Sequence, residues 1–261
     1  MKYLVTALIS AVILTEQIPL VAMSSPNEKG MEMFEENFSS HFMSCRESIE
    51  QLGKNNPLVM QQFDSFIQNL TQAYKAGEGF IDKDVLRILD ALVFAAEKHR
   101  FQLRKNQNPT PYIVHPIGVA NHVMFIGKVR DPDIIIAALL HDTVEDTDTT
   151  FQELEENFGS RVAEFVREVT DDKTLGKQER KRLQIEHAPH KSAGAAQIKL
   201  GDKLYNLDDL YNEVPVGWDQ ARVDAYFHWA KEVVDRLPWV NAPLKVAIDE
   251  VVQKYWKENA Q

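Results

Sequence analysis

An apolar run that ends in a cluster of metal-binding residue types is the feature that most constrains the fold of this chain. Residues 134–140 are all apolar, and HDTVED follows them directly. A buried helix is expected for the run, and positions four apart in a helix share a face, so Glu145 should lie over His141 and Asp146 over Asp142. Burying carboxylates and an imidazole beside an apolar stripe is costly unless a cation compensates them. The pattern therefore favours a metal site over a merely solvated helix end.

Two further segments offer the ligands that a closed metal site needs. His115 lies in PTPYIVHP between two prolines, just before a predicted helix, where a stiff backbone can aim its imidazole inward. Asp202 lies in IKLGDKLYNLDDL, an otherwise apolar helix. Taken alone, His115 is also compatible with a loop cap and Asp202 with a salt bridge to Lys203. Together with His141 and Asp142 they form a candidate shell of two histidines and two aspartates.

The composition excludes several classes of protein. A formal net charge of -10 argues against a protein that binds the nucleic-acid backbone, because such proteins usually carry a basic surface. The single cysteine, Cys45, rules out an intrachain disulfide framework and a CxxC zinc site. We interpret it as a small hydrophobic side chain. Hydrophobic residues make up 44% of the chain, which is enough for a sizeable core.

The spacing of apolar residues predicts an all-α fold, because no stretch shows convincing strand alternation. We expect three parts: an apolar segment over residues 1–25, a helical extension over 26–80, and a hydrolase domain over 81–261. Predicted helices cover residues 31–52, 58–74, 83–103, 117–126, 131–145, 150–157, 160–170, 177–188, 193–212, 219–237 and 243–258. Thr150 and Glu153 form a capping box, and Gly159 lies where a helix is expected to stop.

The N-terminal segment bears on localisation. Lys2 precedes an apolar run over residues 4–14, and small residues follow near 22–25, a pattern that resembles a secretory signal peptide. The run is too short for a stable membrane span, which needs about 20 apolar residues. We expect a cytoplasmic protein, and the alternative is the secretory route. The sequence leaves open whether the N-terminal segment is cleaved or translation begins at Met23.

Five motifs between residues 90 and 255 carry a specific resemblance: KHR-x3-RK, PYIVHPIGVA, AALLHDTVEDTDTT, VTDDKTL-x-K-x-ERK and KLGDKLYNL. The order H…HD…D resembles the HD-domain phosphohydrolases. The wider set is similar to the hydrolase domain of the RelA/SpoT alarmone enzymes, and most of all to the small metazoan SpoT homologue family. The resemblance does not extend to residues 1 to about 80.

The resemblance implies a helical HD-domain bundle with a metal centre. It makes His115, His141, Asp142 and Asp202 the ligands of an ion that is usually Mn²⁺, and an oxygen and imidazole shell suits that ion. The implied catalytic acidic pair is Glu145 and Asp146, which are not needed as ligands. They are better suited to orient and deprotonate a water molecule that the ion acidifies.

The implied reaction removes the 3′-diphosphate of guanosine 3′,5′-bis(diphosphate) (ppGpp) or of its 5′-triphosphate form (pppGpp), leaving GDP or GTP respectively, together with diphosphate. In the family, Arg104 packs against the guanine base and Lys105 faces phosphate. Further pocket candidates are Lys173, Lys203 and Asn206. The chain departs from the family at Gly201, where alanine is common, and at Asp209, where bacterial members often have threonine.

Three functional alternatives remain open at this stage. The first is an alarmone hydrolase without synthetase activity, since too little chain follows Tyr255 for a synthetase domain. The second is a phosphatase that uses the same site on the 2′-phosphate of NADPH. The third is a metal-binding interaction module without catalysis, which the intact acidic pair argues against. The sequence indicates neither the oligomeric state nor the role of residues 1–80.

Overall fold

The computed structural model describes residues 28–54 and 56–259, with side chains from residue 38 onward. Its α-helices are α1 (Glu28–Gly53), α2 (Pro57–Lys75), α3 (Asp82–Lys98), α4 (Val114–Asn121), α5 (Pro132–Leu140), α6 (Thr143–Asp146), α7 (Phe151–Phe158), α8 (Ser160–Val169), α9 (Lys177–His187), α10 (Ala193–Asn212), α11 (Gln220–Arg236) and α12 (Ala242–Asn259). A π-helix, His122–Ile126, continues α4, and a 3-10 turn, Ala188–His190, follows α9. The strand-like pairing in these ranges is an isolated antiparallel bridge between Leu103 and Pro111. The all-α prediction is confirmed. The apolar segment at residues 1–25 lies outside the described residues.

Side-chain caps explain where several helices begin and end. The Thr150 side chain accepts a hydrogen bond from the Glu153 amide at the start of α7. Gly159 has φ 92°, a conformation that favours glycine, and it separates α7 from α8. Asp219 caps α11 by accepting from the Arg222 amide. The sequence predicted both the Thr150 cap and the stop at Gly159.

The helix expected over residues 131–145 is wrong at its C-terminal end. Helix α5 ends at Leu140, residues 141 and 142 form a turn, and the short α6 follows. Two side chains form hydrogen bonds to backbone carbonyl oxygens near this end. His141 Nδ1 lies 2.8 Å from the Ala138 oxygen, and Thr143 Oγ1 donates to the Leu140 oxygen at 2.7 Å. These local bonds compete with the helical ladder. The turn therefore gives His141 and Asp142 an orientation that a continuous helix would not.

Two hydrophobic clusters form the core, and α10 lies between them. Its Ile198 and Tyr205 belong to the first cluster, which includes side chains from α1 to α5, α7 and α8. Its Leu200, Leu204 and Leu207 belong to the second, which is built mainly from α10, α11 and α12. Because α10 packs on both sides, a polar residue in its middle is buried wherever it points. This places Asp202 in the interior.

Glycines let α10 approach the α4 segment closely. A Cβ on Gly118 would lie 2.0 Å from Cε2 of Tyr205, so only glycine admits that ring. A Cβ on Gly201 would lie 2.6 Å from a methyl carbon of Val123. From the sequence, glycine in place of the family's alanine at position 201 is expected to weaken the helix by up to about 1 kcal/mol. The structure shows that this glycine also allows close packing.

The extension is packed onto the rest of the chain. Helix α1 contacts α2 and α3, and α2 contacts α4. Cys45, Ile49, Phe63 and Phe66 are fully buried in the first hydrophobic cluster. Burial raises the pKa of the Cys45 thiol to about 12, in agreement with its interpretation as a small hydrophobic side chain. The division at residue 80 stays a prediction. Of the helices described, none combines the length and the apolar character needed to cross a membrane.

Candidate metal centre

Three separate segments bring the four candidate ligands together. His115 lies in the first turn of α4, His141 and Asp142 form the turn after α5, and Asp202 lies in the middle of α10. We expected His115 just before a helix, but α4 begins one residue earlier. The helix tolerates Pro116 there because amides of the first turn have no intrahelical partner.

The side-chain atoms of these residues converge on one point. His115 Nε2 lies 3.4 Å from Asp142 Oδ2 and 3.4 Å from Asp202 Oδ1. His141 Nε2 lies 3.2 Å from Asp142 Oδ2 and 3.9 Å from Asp202 Oδ1. Ligand atoms of His115, His141 and Asp202 all lie within 4.8 Å of one another. The arrangement is that of a small shell of two nitrogens and two carboxylates.

The protonation of His141 suits a metal ligand. A carbonyl oxygen can only accept, so the contact with Ala138 assigns a ring proton to Nδ1 and makes Nε2, which faces the carboxylates, the nitrogen that could coordinate an ion. His141 Nε2 is buried and has no hydrogen-bond partner among the described residues. This orientation of a histidine by a backbone carbonyl is the usual arrangement beside a metal.

The two carboxylates of the shell favour a positive charge beside them. Burial alone would lower the pKa of His141, but Asp142 and Asp202 raise it to about 9. The histidines in turn hold the pKa of Asp142 well below its usual range against the effect of burial. A divalent cation would supply the charge that the carboxylates attract and leave both imidazoles neutral. The residues present therefore fit a divalent metal ion.

Neighbouring side chains fix the two aspartates. The Tyr112 hydroxyl donates to Asp142 Oδ2 at 2.5 Å. Asn206 Nδ2 donates to Asp202 Oδ1 at 2.6 Å, and Lys203 Nζ donates to Asp202 Oδ2 at 3.0 Å. Both side chains are thus bound to Asp202, and the substrate contacts expected of Asn206 and Lys203 stay predictions. The role of Tyr112 was missed by sequence reasoning.

The acidic pair lies beside this shell and is tied to a lysine. Lys173 Nζ lies 3.1 Å from Glu145 Oε1 and donates to Asp146 Oδ1 at 2.8 Å. The Asp171 amide donates to Glu145 Oε2 at 3.0 Å. Burial, with the nearby Asp142 charge, raises the pKa of Glu145. An open cavity of about 580 Å³ reaches Asp146 but is not lined by Glu145; its lining is Glu97, Lys98, Arg100, Phe101, Gln102, Asp146, Thr147 and Asp148.

Arg104 lies near two aromatic rings and is paired with a carboxylate. Its guanidinium carbon lies 5.8 Å from the ring centroid of Tyr112 and 5.7 Å from that of Tyr205. Its Nη2 donates to Asp209 Oδ2 at 2.5 Å. The departure at Asp209 therefore supplies a carboxylate that fixes Arg104. Lys105, the next residue, is exposed.

Aromatic rings and lysines continue the site away from Asp202. The Nζ atoms of Lys181 and Lys203 each lie 4.5 Å from the ring centroid of Trp229. Burial, followed by the negative charge of Asp202, raises the pKa of Tyr226, which packs against Trp229 at a centroid distance of 5.3 Å. The negative charge of Asp202, a candidate metal ligand, therefore acts on a side chain of this aromatic surface.

A second aromatic ring extends this surface. The Arg222 guanidinium lies 4.1 Å and Lys177 Nζ 5.8 Å from the ring centroid of Trp218. The charges that act on the pKa of Lys177 and Lys181 are all positive, and after burial they lower the pKa of Lys181 to about 8. We call this group the basic-aromatic cluster: Lys105, Lys177, Lys181, Lys203, Arg222, Trp218, Tyr226 and Trp229.

Sequence reasoning missed most of the basic-aromatic cluster, although part of its pattern was available. Trp218, Arg222, Tyr226 and Trp229 recur at spacings of four, four and three, which place them on one face of α11 and its N-terminal flank. That α9 packs against this face is decided by the tertiary structure.

Comparison with known proteins agrees with this geometry. An HD-domain family model matches residues 91–226, a range that contains all four candidate ligands. Guanosine-3′,5′-bis(diphosphate) 3′-pyrophosphohydrolase MESH1 of Xenopus tropicalis is 54% identical over 171 residues, which are 66% of this chain and 96% of that protein. The human protein of the same name is 52% identical over 171 residues, also 66% of this chain and 96% of that protein.

A solved structure of a metazoan SpoT orthologue, described as hydrolysing ppGpp and acting in starvation responses, is also similar. It is 50% identical with a TM-score of 0.64, and the match covers 65% of this chain and 95% of that one. The resemblance found in the sequence is thus confirmed across nearly the whole length of these relatives. The chain belongs to the HD-domain proteins and, within them, to the MESH1 family.

Proposed function

We propose that this protein hydrolyses the 3′-diphosphate of guanosine 3′,5′-bis(diphosphate) (ppGpp) to give GDP and diphosphate, and that of its 5′-triphosphate form (pppGpp) to give GTP and diphosphate, and that it does not synthesise these nucleotides. The observation that carries the proposal is the convergence of two imidazoles and two carboxylates beside an acidic pair, the half-buried Glu145 and the exposed Asp146. It occurs in a chain more than half identical to pyrophosphohydrolases of that specificity, over almost their full length.

We assign His115, His141, Asp142 and Asp202 as ligands of Mn²⁺. The set mixes two imidazole nitrogens with two carboxylates, and this donor set suits Mn²⁺ better than a thiolate-binding metal. When bound, the ion polarises phosphoryl oxygens and lowers the pKa of water. Tyr112, Asn206 and Lys203 keep the aspartate oxygens in place through the hydrogen bonds given above.

Glu145 and Asp146 are the candidate proton acceptors. A general base works best when its pKa is near the working pH, and burial moves the pKa of Glu145 upward in that direction. Lys173 donates to both carboxylates, and its positive charge offsets the repulsion between them, so that the two can lie close together. The pair can thereby hold a water molecule and accept its proton.

The substrate is highly negatively charged, and the basic-aromatic cluster provides positive charge to bind it. In a chain with a net charge of -10, its cations repel one another, and an anion relieves that repulsion. We propose that the cluster takes a diphosphate group, while Arg104, which lies near the rings of Tyr112 and Tyr205, stacks on the base. A nucleotide substrate also supports the cytoplasmic location expected from the sequence.

Two competing functions make the experiment specific. NADPH also carries a ribose phosphate, a base and a diphosphate, and an interaction module would bind metal without turnover.

Purified full-length protein with Mn²⁺ is offered ppGpp and NADPH separately, and products and kcat/KM are compared. We expect diphosphate and GDP from ppGpp, lost on chelation and restored by Mn²⁺. Preferential release of phosphate from NADPH would replace the proposal, and metal binding without any turnover would favour the interaction module.

The full chain is used because the extension shares its core with the rest. A piece that begins at residue 81 would expose the apolar side chains of α3 and α4 that α1 and α2 cover. Lost activity in such a piece would not separate misfolding from a wrong assignment.

Replacing Lys181 by methionine should weaken substrate binding more than chemistry. Methionine keeps the packing against Trp229 but removes one charge of the basic-aromatic cluster. We expect KM to rise about tenfold with kcat nearly unchanged, as for an interaction made equally in the ground and transition states. Steady-state kinetics at two salt concentrations measures this.

Lys254→Met is the matched control for that variant. Lys254 also lies over an aromatic ring, 4.4 Å from the centroid of Tyr211, but its charged neighbours include Glu258 and Asp208. We expect no change in KM. Equal effects of the two substitutions would remove the basic-aromatic cluster from the substrate site.

A further inference from the structure

Two side chains hold the carboxylate of Asp146, one on each oxygen. Lys173 Nζ donates to Oδ1 at 2.8 Å, and Gln102 Nε2 donates to Oδ2 at 3.0 Å. The two donors differ in rigidity. The Lys173 side chain is 47% exposed, whereas the backbone of Gln102 is bonded on both sides. Its amide donates to the His99 oxygen and its oxygen accepts from the Tyr112 amide, each at 2.9 Å.

The orientation of the Gln102 amide follows from its neighbours. A carboxylate only accepts, so the NH₂ group must face Asp146 and Oε1 must face the other way. There Oε1 meets His99 Nδ1 at 2.7 Å, and this nitrogen must carry the ring proton. Burial lowers the pKa of His99, which keeps the imidazole neutral. The hydrogen bonds therefore run in one direction, from His99 through Gln102 to Asp146.

His99 is itself fixed by the wall of the metal centre. It is 1% exposed, and its ring lies 5.0 Å from that of Tyr112. Tyr112 donates to Asp142, one of the candidate ligands. A continuous set of packed and hydrogen-bonded side chains thus joins a metal ligand to the acidic pair. A set of this kind can keep the two at a constant separation.

We propose that Gln102, oriented by His99, is a positioning residue that holds the Asp146 carboxylate at a fixed place relative to the metal centre. The inference rests on the proposed function and adds a residue that acts through Asp146. Lys173 compensates the negative charge of Asp146, and Gln102 fixes the orientation of its carboxylate. Catalysis depends on such placement, because a displacement of about 1 Å of a catalytic group is enough to cost about a hundredfold in rate.

Gln102→Met tests the proposal, since methionine keeps the length of the side chain and removes its donor. We expect kcat to fall about tenfold to hundredfold, the range typical of groups that orient catalytic ligands, with KM and Mn²⁺ affinity unchanged. Gln152→Met is the matched control: Gln152 also donates to a carboxylate, that of Glu156 at 2.8 Å, but on the exposed face of α7. The control should keep the kcat of the unchanged protein.

Combined variants separate positioning from a general structural effect. In an Asp146→Ala background, Gln102→Met should cause no further loss, because the group through which it acts is gone. His99→Phe keeps a ring against Tyr112 but removes the Nδ1 donor. We expect it to lower kcat in the same direction, with no added loss when it is combined with Gln102→Met. Independent, multiplying losses in either pair would overturn the proposal.

Crystal structures of the unchanged protein and of Gln102→Met, both with Mn²⁺, give a readout that does not depend on turnover. We expect the Asp146 carboxylate to move by about 1 Å or to rotate in the variant. An unmoved Asp146, or a loss of activity caused by weaker Mn²⁺ binding, contradicts the inference. If the unchanged protein acts on neither ppGpp nor NADPH, the proposed function fails, and the position of Asp146 still decides this inference.

Discussion

Asp202→Asn is expected to lose bound metal and catalytic activity together. Asp202 is 7% exposed, and its Oδ1 lies 3.4 Å from His115 Nε2, at the point where the candidate ligands converge. Asparagine fits the same space but keeps one oxygen, so it can accept from Lys203 or from Asn206 but not from both, and it removes half of the carboxylate charge of the shell. We expect turnover to fall by about a thousandfold or more, equivalent to about 4 kcal/mol. Metal content and Mn²⁺ titration calorimetry measure the first loss, and product release measures the second.

Thermal unfolding provides an independent check on the same variant. A ligand that binds only the folded state at about 100 times its Kd stabilises that state by about 2.7 kcal/mol. Mn²⁺ should therefore raise the Tm of the unchanged protein and have little effect on Asp202→Asn. The control is Asp249→Asn, which alters a partly exposed carboxylate 3.3 Å from Lys231. A metal-free Asp202→Asn protein that retained full activity would show that the assigned centre is wrong.

Glu145→Gln is expected to keep the metal and lose most turnover. Glu145 is not one of the converging ligands, and its Oε2 accepts from the Asp171 amide, a bond that glutamine can retain. What disappears is the ability to take up a proton. General acid–base catalysis contributes about 10²- to 10⁴-fold, so we expect kcat to fall in that range. Mn²⁺ affinity and the Mn²⁺-dependent rise in Tm should stay as in the unchanged protein.

Glu164→Gln is the control for that substitution, because Glu164 is an exposed carboxylate beside Arg167 on α8. It should leave kcat and metal binding unchanged. If Glu145→Gln lost the metal as completely as Asp202→Asn, Glu145 would be a ligand and the proposed division of roles would fail. If it kept full kcat, the proton would have to leave through another group, with Asp146 the nearest candidate.

Local patterns accounted for most of the helices. Apolar periodicity located α10 at the residues where it is found, and the cap at Thr150 and the stop at Gly159 located α7 and α8. The failures arose where side chains compete with the backbone. His141 and Thr143 take carbonyls at the end of α5, so the predicted helix is interrupted there. Such competition depends on how the side chains are packed, which periodicity alone does not report.

The sequence did not indicate which neighbours the individual pocket residues would contact. Asn206 was expected at the substrate and is bound to Asp202, while Lys173 lies against the acidic pair. A residue's type indicates what it can bind. Which partner lies within reach depends on helix crossings such as that of α10 over Gly118, where a single Cβ would displace the Tyr205 ring.

By itself, the sequence determined the helical class, the four candidate ligands and the acidic pair, because these depend on residue type and on spacing within single segments. Only the tertiary structure decided that His115, His141, Asp142 and Asp202 meet at one point, that Gln102 reaches Asp146, and that lysines from α9 and α10 share the aromatic rings of α11. The physical reason is that these contacts join residues far apart in the chain. Their distances are set by the burial of α10 between two hydrophobic clusters, a result of packing the whole chain.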